Sequence, residues 1–146
     1  MINTNFSDEE IYDNFLSLDV NKEAIINQSQ VIKKIANNGS AVIVGRCADY
    51  ILKDNDALVK IFIYANMDYR IQNVMKNYQD NEKQAKKHII ESDKSRATYY
   101  SVIANSTWGD KNSYDLCIDA KIGNENVVKI ICDYINNNWR IHLFMI

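Results

Sequence analysis

Two kinds of apolar spacing alternate along this chain. The apolar run Ala41 to Val44, bounded by Gly39 and Gly45, is too short for a helix and predicts a strand buried on both faces of a parallel sheet. Leu58 to Tyr64 predicts a second strand, and Tyr114 to Asp119 predicts a third. Because helical patterns separate these runs, the sequence predicts an α/β fold with a mostly parallel sheet and helices on both faces.

The helical segments have apolar residues three or four positions apart. A capping-box pattern, Ser7 with Glu10, predicts a short first helix to about Leu18. The other predicted helices run from about Asn21 to Asn37, around Ala48 to Leu52, from Met67 to Tyr78, from Glu82 to Ala104 and from Glu125 to Tyr134.

Residues 67–104 form a predicted helical hairpin, broken at Gln79-Asp80-Asn81. Its inward positions are Ile71, Val74, Met75, Ala85, Ile89 and Ile90. The tail, residues 139–146, alternates well enough to predict an additional strand, and a disordered or partner-bound tail is the alternative.

Composition favours one domain over residues 1–146. The chain is 47% hydrophobic and 25% charged, with a formal net charge of -2, which argues against a generally basic nucleic-acid binder. No run approaches the roughly 18 apolar residues of a membrane span. The first residues lack the basic and apolar regions of a signal peptide, so a cytoplasmic protein is expected.

The cysteine pattern favours reduced, packed thiols. Cys47, Cys117 and Cys132 are odd in number, widely spaced and without a Cys-x-x-Cys pair. This pattern disfavours a disulfide framework and a zinc site, so no metal is predicted.

The strongest candidate for binding chemistry is Arg46. Ligands of parallel sheets lie beyond the carboxyl ends of the strands, and Gly45 allows a sharp turn there. Arg46 then offers a permanently charged donor fork suited to phosphate or carboxylate. A structural arginine paired with an acid is the alternative that the residues leave open.

The second arm of the hairpin carries a further candidate group. Helical spacing predicts that Asp93, Arg96 and Tyr100 share one face. Two adjacent aromatics, Tyr99 and Tyr100, on an otherwise polar helix suggest a docking face or a place where an apolar ligand edge stacks. A solvated charged face is the ordinary explanation for such a group, and the lysines nearby have the pattern of such a face.

Five segments together resemble the cytidylate-kinase-like family, which is related to the P-loop nucleoside monophosphate kinases. They are Gly-Arg-Cys-Ala-Asp-Tyr-Ile-Leu (45–52), Val-Lys-Ile-Phe-Ile-Tyr-Ala (59–65) with Arg70, Asp-Lys-Ser-Arg-Ala-Thr-Tyr-Tyr (93–100), Trp-Gly-Asp (108–110) and Tyr-Asp-Leu-Cys-Ile-Asp (114–119). The resemblance runs from about Phe15 to Ile135. It implies a P-loop-kinase-like three-layer fold in which residues 67–104 are the lid.

The resemblance also implies a function and a role for each matching residue. The function is transfer of a phosphoryl group from ATP, with Mg²⁺, to a nucleoside monophosphate such as CMP. Arg46 would hold the acceptor phosphate, Asp49 would support that site, and Arg70 is a weaker phosphate candidate. Asp93 and Arg96 would be the catalytic residues of the lid. Tyr99 and Tyr100 are the aromatics available to contact the substrate.

One part of the family pattern is missing from this sequence. A kinase of this kind needs a glycine-rich loop ending in Lys and Ser or Thr to hold the ATP phosphates. Gly39 and Gly45 have one residue too many between them, and Arg-Cys follows instead. The fold is therefore expected to be incomplete, without its first strand and phosphate loop.

Three explanations stay open at this point. The chain is the C-terminal part of a larger kinase and inactive alone, or a noncatalytic relative that binds a nucleotide. The third is an interaction module, such as a homo-oligomer, whose sheet is completed by another chain or by its own tail.

Overall fold

Helices and parallel strands alternate along the chain, which confirms the predicted mixed α/β fold. The computed structural model describes residues 22–137 and 143–145. The helices are α1 (Lys22–Asn37), α2 (Ala48–Ile51), α3 (Met67–Tyr78), α4 (Glu82–Ala104) and α5 (Asn124–Asn137). The strands are β1 (Ala41–Ile43), β2 (Leu58–Tyr64), β3 (Leu116–Asp119) and β4 (Leu143–Met145), with 3₁₀ turns at Lys111–Ser113 and Ala120–Ile122. The predicted helix from Ser7 to Leu18 lies outside the described residues.

The sheet has the strand order β1-β4-β2-β3, and each described pair of neighbours is parallel. Strand β4 lies between β1 and β2, with Phe144 opposite Val42 on one side and Val59 on the other. The last four residues of β2, 61–64, pair with β3. The strand within the predicted tail therefore occupies an interior position of the sheet.

The hairpin of α3 and α4 begins and ends where the sequence predicts, because each boundary has a local cause. Asn66 caps α3 by accepting a hydrogen bond from the backbone N–H of Tyr69. At the start of α4, Asn81 and Gln84 form a reciprocal capping box. Between the helices, Gln79 adopts a left-handed conformation with φ 59°, which ends α3.

Each face of the sheet packs against different helices. On one face, Ala41, Ile43 and Leu58 contact an apolar cluster from α1 and the α2 segment, formed by Ile32, Ala48, Ile51 and Leu52. On the other face, Val59 and Ile61 pack with Ile118 against Val127 and Ile131 of α5. Successive side chains of β2 point to opposite faces of the sheet, so the core has two layers, one on each face.

The prediction that β1 is buried on both faces is wrong. Val42 is 61% exposed and Val44 is 72% exposed. Val42 shares a face with Val59, but β1 lies two strands away from β2, or about 9.6 Å. Helix α5 packs over β2 and β3 and leaves this face of β1 uncovered.

Two residues of the hairpin also differ from the expected packing. Ile71, Ala85 and Ile89 are buried and Val74 is partly buried, as predicted, but Met75 and Ile90 are exposed. The contact surface between α3 and α4 is narrower than the apolar pattern predicts, because only one row of side chains on each helix packs against the other helix.

The three cysteines occupy two different environments. Cys47 is buried, whereas Cys117 and Cys132 are exposed, so the prediction of packed thiols is correct only for Cys47. All three are free thiols. Within the part of the chain that the structure describes, no helix has the length and apolarity needed to cross a membrane.

Truncation of Ile103 tests where the stability of α4 originates. Ile103 is 1% exposed, and Ile90 of the same helix is 50% exposed. We expect Ile103→Ala to lower the free energy of unfolding by about 2–5 kcal/mol, because it leaves a cavity, and Ile90→Ala to lower it by less than about 1 kcal/mol. Urea denaturation measures both, and equal losses would contradict the described packing.

Candidate functional site

The chain forms an unusual left-handed turn directly after β1. Gly45, Arg46 and Cys47 have φ values of 71°, 60° and 53°. Left-handed backbone costs roughly 1–2 kcal/mol for each residue other than glycine. The backbone N–H of Ala48 closes the turn by donating to the carbonyl of Gly45 at 3.3 Å. Two strained residues in succession therefore lie at the carboxyl end of a parallel strand.

Buried neighbours hold this turn in place. Cys47, Ala48 and Asp49 are all buried, and Cys47 packs with Ile25 of α1 and with Ile103 of α4. Arg46, which precedes them, is exposed. Strain of this kind persists only where the surroundings over-determine the backbone. The anchored turn thus presents one solvent-facing guanidinium at the sheet edge where ligands of parallel sheets bind.

Asp49 is buried against the second arm of the hairpin. The hydroxyl of Tyr100 donates a hydrogen bond to Asp49 Oδ2 at 2.8 Å. Burial is the main cause of the raised pKa of Tyr100, and its hydrogen bond to the Asp49 carboxylate adds to it. Burial also raises the pKa of Cys47 to about 12, with a smaller contribution from Asp49. The tyrosine and the thiol therefore stay protonated at neutral pH.

Tyr99 has a different partner, which the sequence analysis missed. The side-chain amide of Gln28 donates to the Tyr99 hydroxyl at 3.0 Å. Burial raises the pKa of Tyr99, and the hydrogen bond from Gln28 partly opposes that rise. A signal for Gln28 exists in the sequence, because this polar residue shares the apolar stripe of α1 with Ile25 and Ile32.

A second group of predicted residues meets within the hairpin. Arg70 of α3 forms a two-bond ion pair with Asp93 of α4, with both N–O distances 2.7 Å. Arg96 also contacts Asp93, at 3.3 Å. The hydrogen bond to Asp93 is the main cause of the raised pKa of Arg70. One carboxylate thus holds two guanidinium groups.

The predicted residues therefore fall into two clusters rather than one. Asp49 and Tyr100 are joined under the Arg46 turn, and Tyr99 packs beside them. Arg70, Asp93 and Arg96 are joined farther along the hairpin. Helix α4 connects the clusters, because Asp93, Arg96 and Tyr100 follow one face of it as predicted.

Aromatic side chains pack the segment between α4 and β3 against β2. Phe62 stacks on Tyr114 with 4.8 Å between ring centroids and meets the edge of Trp108 at 5.8 Å. A Cβ atom at Gly109 would lie 3.2 Å from the Phe62 ring. Trp108, which belongs to the resembling segment 108–110, is thus packed against the protein. The pairing of Phe62 with Tyr114 was missed because it joins residues far apart in sequence.

The described residues do not form a cradle for a triphosphate or for a divalent cation. Each of the four glycines lies in a separate turn with positive φ, and no glycine-rich loop is present among residues 22–137. Across the same residues, no three His, Cys, Asp or Glu side chains are close enough to hold a metal ion together. The site offers cationic groups for an anion instead.

Comparisons with known proteins find a matching family and a similar solved structure. The model of the cytidylate kinase-like family matches residues 2–122. The chain is also similar to a crystal structure of an uncharacterized protein from Eubacterium ventriosum, with 31% sequence identity and a TM-score of 0.81. That match covers 94% of this chain and 76% of the other. No curated protein matches the chain.

Substitution of Arg46 tests the strain in the turn. Arg46→Gly and Arg46→Ala both remove the guanidinium, but only glycine adopts left-handed backbone without steric cost. We expect the glycine variant to be more stable than the alanine variant by about 1 kcal/mol in urea denaturation.

The matched control is Arg96, an exposed residue of α4. There the order should reverse, with glycine less stable than alanine by about 1 kcal/mol, because the backbone is helical. The same order at both positions would contradict the left-handed assignment of Arg46.

The three thiols should differ in reactivity. Thiolates react and thiols do not, so in the native protein at pH 8 we expect a disulfide reagent to label Cys117 and Cys132 quickly. Cys47 should react only after unfolding. Rapid modification of all three cysteines would refute the burial of Cys47.

The raised pKa of Cys47 predicts that the stability of the protein depends on pH. Between pH 9.0 and about 12, the unfolded chain loses the Cys47 proton and the native chain keeps it, so stability falls as pH rises. Cys47→Ala should make that fall less steep in urea denaturation at pH 8, 9 and 10. An unchanged dependence on pH would show that Cys47 does not titrate as described.

Proposed function

Because the chain belongs to the cytidylate kinase-like family, we propose that it binds a nucleoside monophosphate of the CMP type at the carboxyl edge of the sheet. The observation that carries this proposal is the exposed Arg46 on a rigid left-handed turn. Arginine is always charged, and its donor fork matches two phosphate oxygens. A turn held by the buried residues on its carboxyl side lets this guanidinium meet a phosphate with little loss of conformational freedom.

The hairpin of α3 and α4 is the proposed lid over that ligand. Arg70 and Arg96 share Asp93, and all three side chains are partly exposed to solvent. A bound phosphate competes with Asp93 for the guanidinium groups, and Arg96 is the easier to transfer because its contact is longer. In this proposal Asp93 holds the arginines in place until ligand arrives, and Arg96 then neutralises phosphate charge.

The remaining candidates have supporting roles. Asp49 lies beneath the Arg46 turn, and Tyr99 offers a partly buried ring beside it. Helices on both faces of a parallel sheet are consistent with a P-loop-kinase-like three-layer fold, which we propose as the finer classification.

The family suggests ATP and Mg²⁺ in general terms, but the described residues do not fit them. Among residues 22–137, no glycine-rich loop followed by Lys and Ser or Thr is present to hold the ATP phosphates. We therefore propose that this chain binds the acceptor nucleotide without turnover. Of the explanations that the sequence leaves open, nucleotide binding has the most support.

Calorimetry with CMP tests this proposal. We expect the chain to bind CMP and Arg46→Ala to weaken binding by about 1.5–3 kcal/mol, as for a lost hydrogen bond to a charged group. Lys129→Ala, which removes an exposed cation of α5, is the matched control and should bind as the unmodified chain does. No binding of CMP, or equal binding by the Arg46 variant, would sink the proposal.

The same preparations should be incubated with ATP, Mg²⁺ and CMP. We expect no nucleoside diphosphates above the protein-free control. Formation of both ADP and CDP that Arg46→Ala abolishes would overturn the noncatalytic part of the proposal and leave the binding part intact.

A further inference from the structure

We propose that the hydrogen bond between Tyr100 and Asp49 sets the spacing of Arg46 and Arg96, so that both guanidinium groups reach one phosphate-bearing ligand. Tyr100 and Asp49 are then positioning residues, which act through the two arginines. This inference rests on the proposed function, since it concerns the same site.

The bond joins two elements that are far apart in sequence. Tyr100 lies in α4 and Asp49 lies 51 residues earlier in α2, and each residue is 8% exposed. Neither side chain is accessible enough to be a principal contact of a ligand. A buried carboxylate oxygen that loses its donor is costly, so the bond persists while the protein is folded.

Each arginine is separated from one end of this bond by only a few residues of well-packed or helical backbone. Arg46 precedes Asp49 by three residues, through the buried Cys47 and Ala48. Arg96 precedes Tyr100 by four residues on the same helical face, which is about 6 Å along the axis of α4. The bond therefore fixes the separation of two backbone positions on different elements.

The distribution of contacts along α4 makes Tyr100 the anchor of the hairpin. The first half of α4 packs through Ala85 and Ile89 on α3. The last five residues, Tyr100 to Ala104, pack on Cys47 and on Ile25 of α1. Among the described residues, the buried polar connection between α4 and the Arg46 turn is the bond from Tyr100 to Asp49.

Arg96 has the freedom that this arrangement requires. Its contact with Asp93 is 3.3 Å, compared with 2.7 Å for each bond of Arg70, and its side chain is 56% exposed. Arg96 can leave Asp93 for a ligand while Arg70 keeps Asp93 in place. The backbone position of Arg96 is meanwhile set by Tyr100.

A double-mutant cycle measures whether the two arginines act together. CMP affinity is determined by calorimetry for Arg46→Ala, Arg96→Ala and the double variant, first in the unmodified chain and then with Tyr100→Phe. Residues that contact one ligand are coupled, so we expect the unmodified chain to give a non-additivity of about tenfold in Kd. With Tyr100→Phe we expect the effects to become additive within about twofold.

Three further variants separate positioning from general stability. Tyr69→Phe is the matched control, because Tyr69 donates to the carbonyl of Ala120, also 51 residues away, at 3.2 Å. It should leave the coupling unchanged. Asp49→Asn keeps an amide oxygen that accepts from Tyr100 and should retain the coupling, whereas Asp49→Ala should lose it. Urea denaturation checks that each variant is folded.

The outcomes are distinct from those of the proposed function. Additive effects in the unmodified chain, or coupling that survives Tyr100→Phe, would overturn the positioning role. If the unmodified chain does not bind CMP, the proposed function fails, and the spacing is measured directly with spin labels on Arg46→Cys and Arg96→Cys. In that experiment Cys117 and Cys132 are replaced by serine. Tyr100→Phe should broaden the distance distribution, and an unchanged distribution would refute the inference.

Discussion

Strands β1 and β2 share no ladder, and each is hydrogen bonded to β4 instead. The three residues of β4 therefore join the part of the sheet that carries the Arg46 turn to the part that carries β3 and α5. An interior parallel strand satisfies backbone groups of both neighbours, so its loss leaves two edges unpaired. The relation between the Arg46 turn and the rest of the sheet depends on this short ladder.

The site combines two kinds of polar contact with different strengths. The pair of Arg70 and Asp93 is partly solvated, and pairs of that kind contribute little to stability and exchange readily for another anion. The bond between Tyr100 and Asp49 is buried, so breaking it would leave a buried polar group without its partner. The exchangeable contact thus lies between α3 and α4, and the fixed contact joins α4 to Asp49. This division suits a surface that must accept an anion without losing its shape.

Local signals explain why much of the fold was predictable. The bounds of β2, α3 and α4 agree with the sequence prediction, because Asn66, Gln79 and Asn81 mark the helix ends through caps and a turn that involve only nearby residues. The shared face of Asp93, Arg96 and Tyr100 follows from helical spacing alone. Arg46 was identifiable because a glycine follows a short apolar run.

Features that depend on distant residues could not be predicted in the same way. The exposure of Val42 depends on strand order, and the place of β4 between β1 and β2 has no local signal. The contact of Gln28 with Tyr99 joins residues 71 positions apart. Likewise, the apolar spacing that includes Met75 and Ile90 predicts which side of each helix is apolar. It does not predict how much of that side the other helix covers.

The interior place of β4 also affects the order in which the chain can fold during synthesis. Because β4 follows the other three strands in sequence, the ribosome makes β1, β2 and β3 before any residue that can join the first two. Non-local parallel pairing is slow, and unpaired strand edges are prone to aggregate. The facing edges of β1 and β2 thus lack their shared partner strand until residues 143–145 emerge.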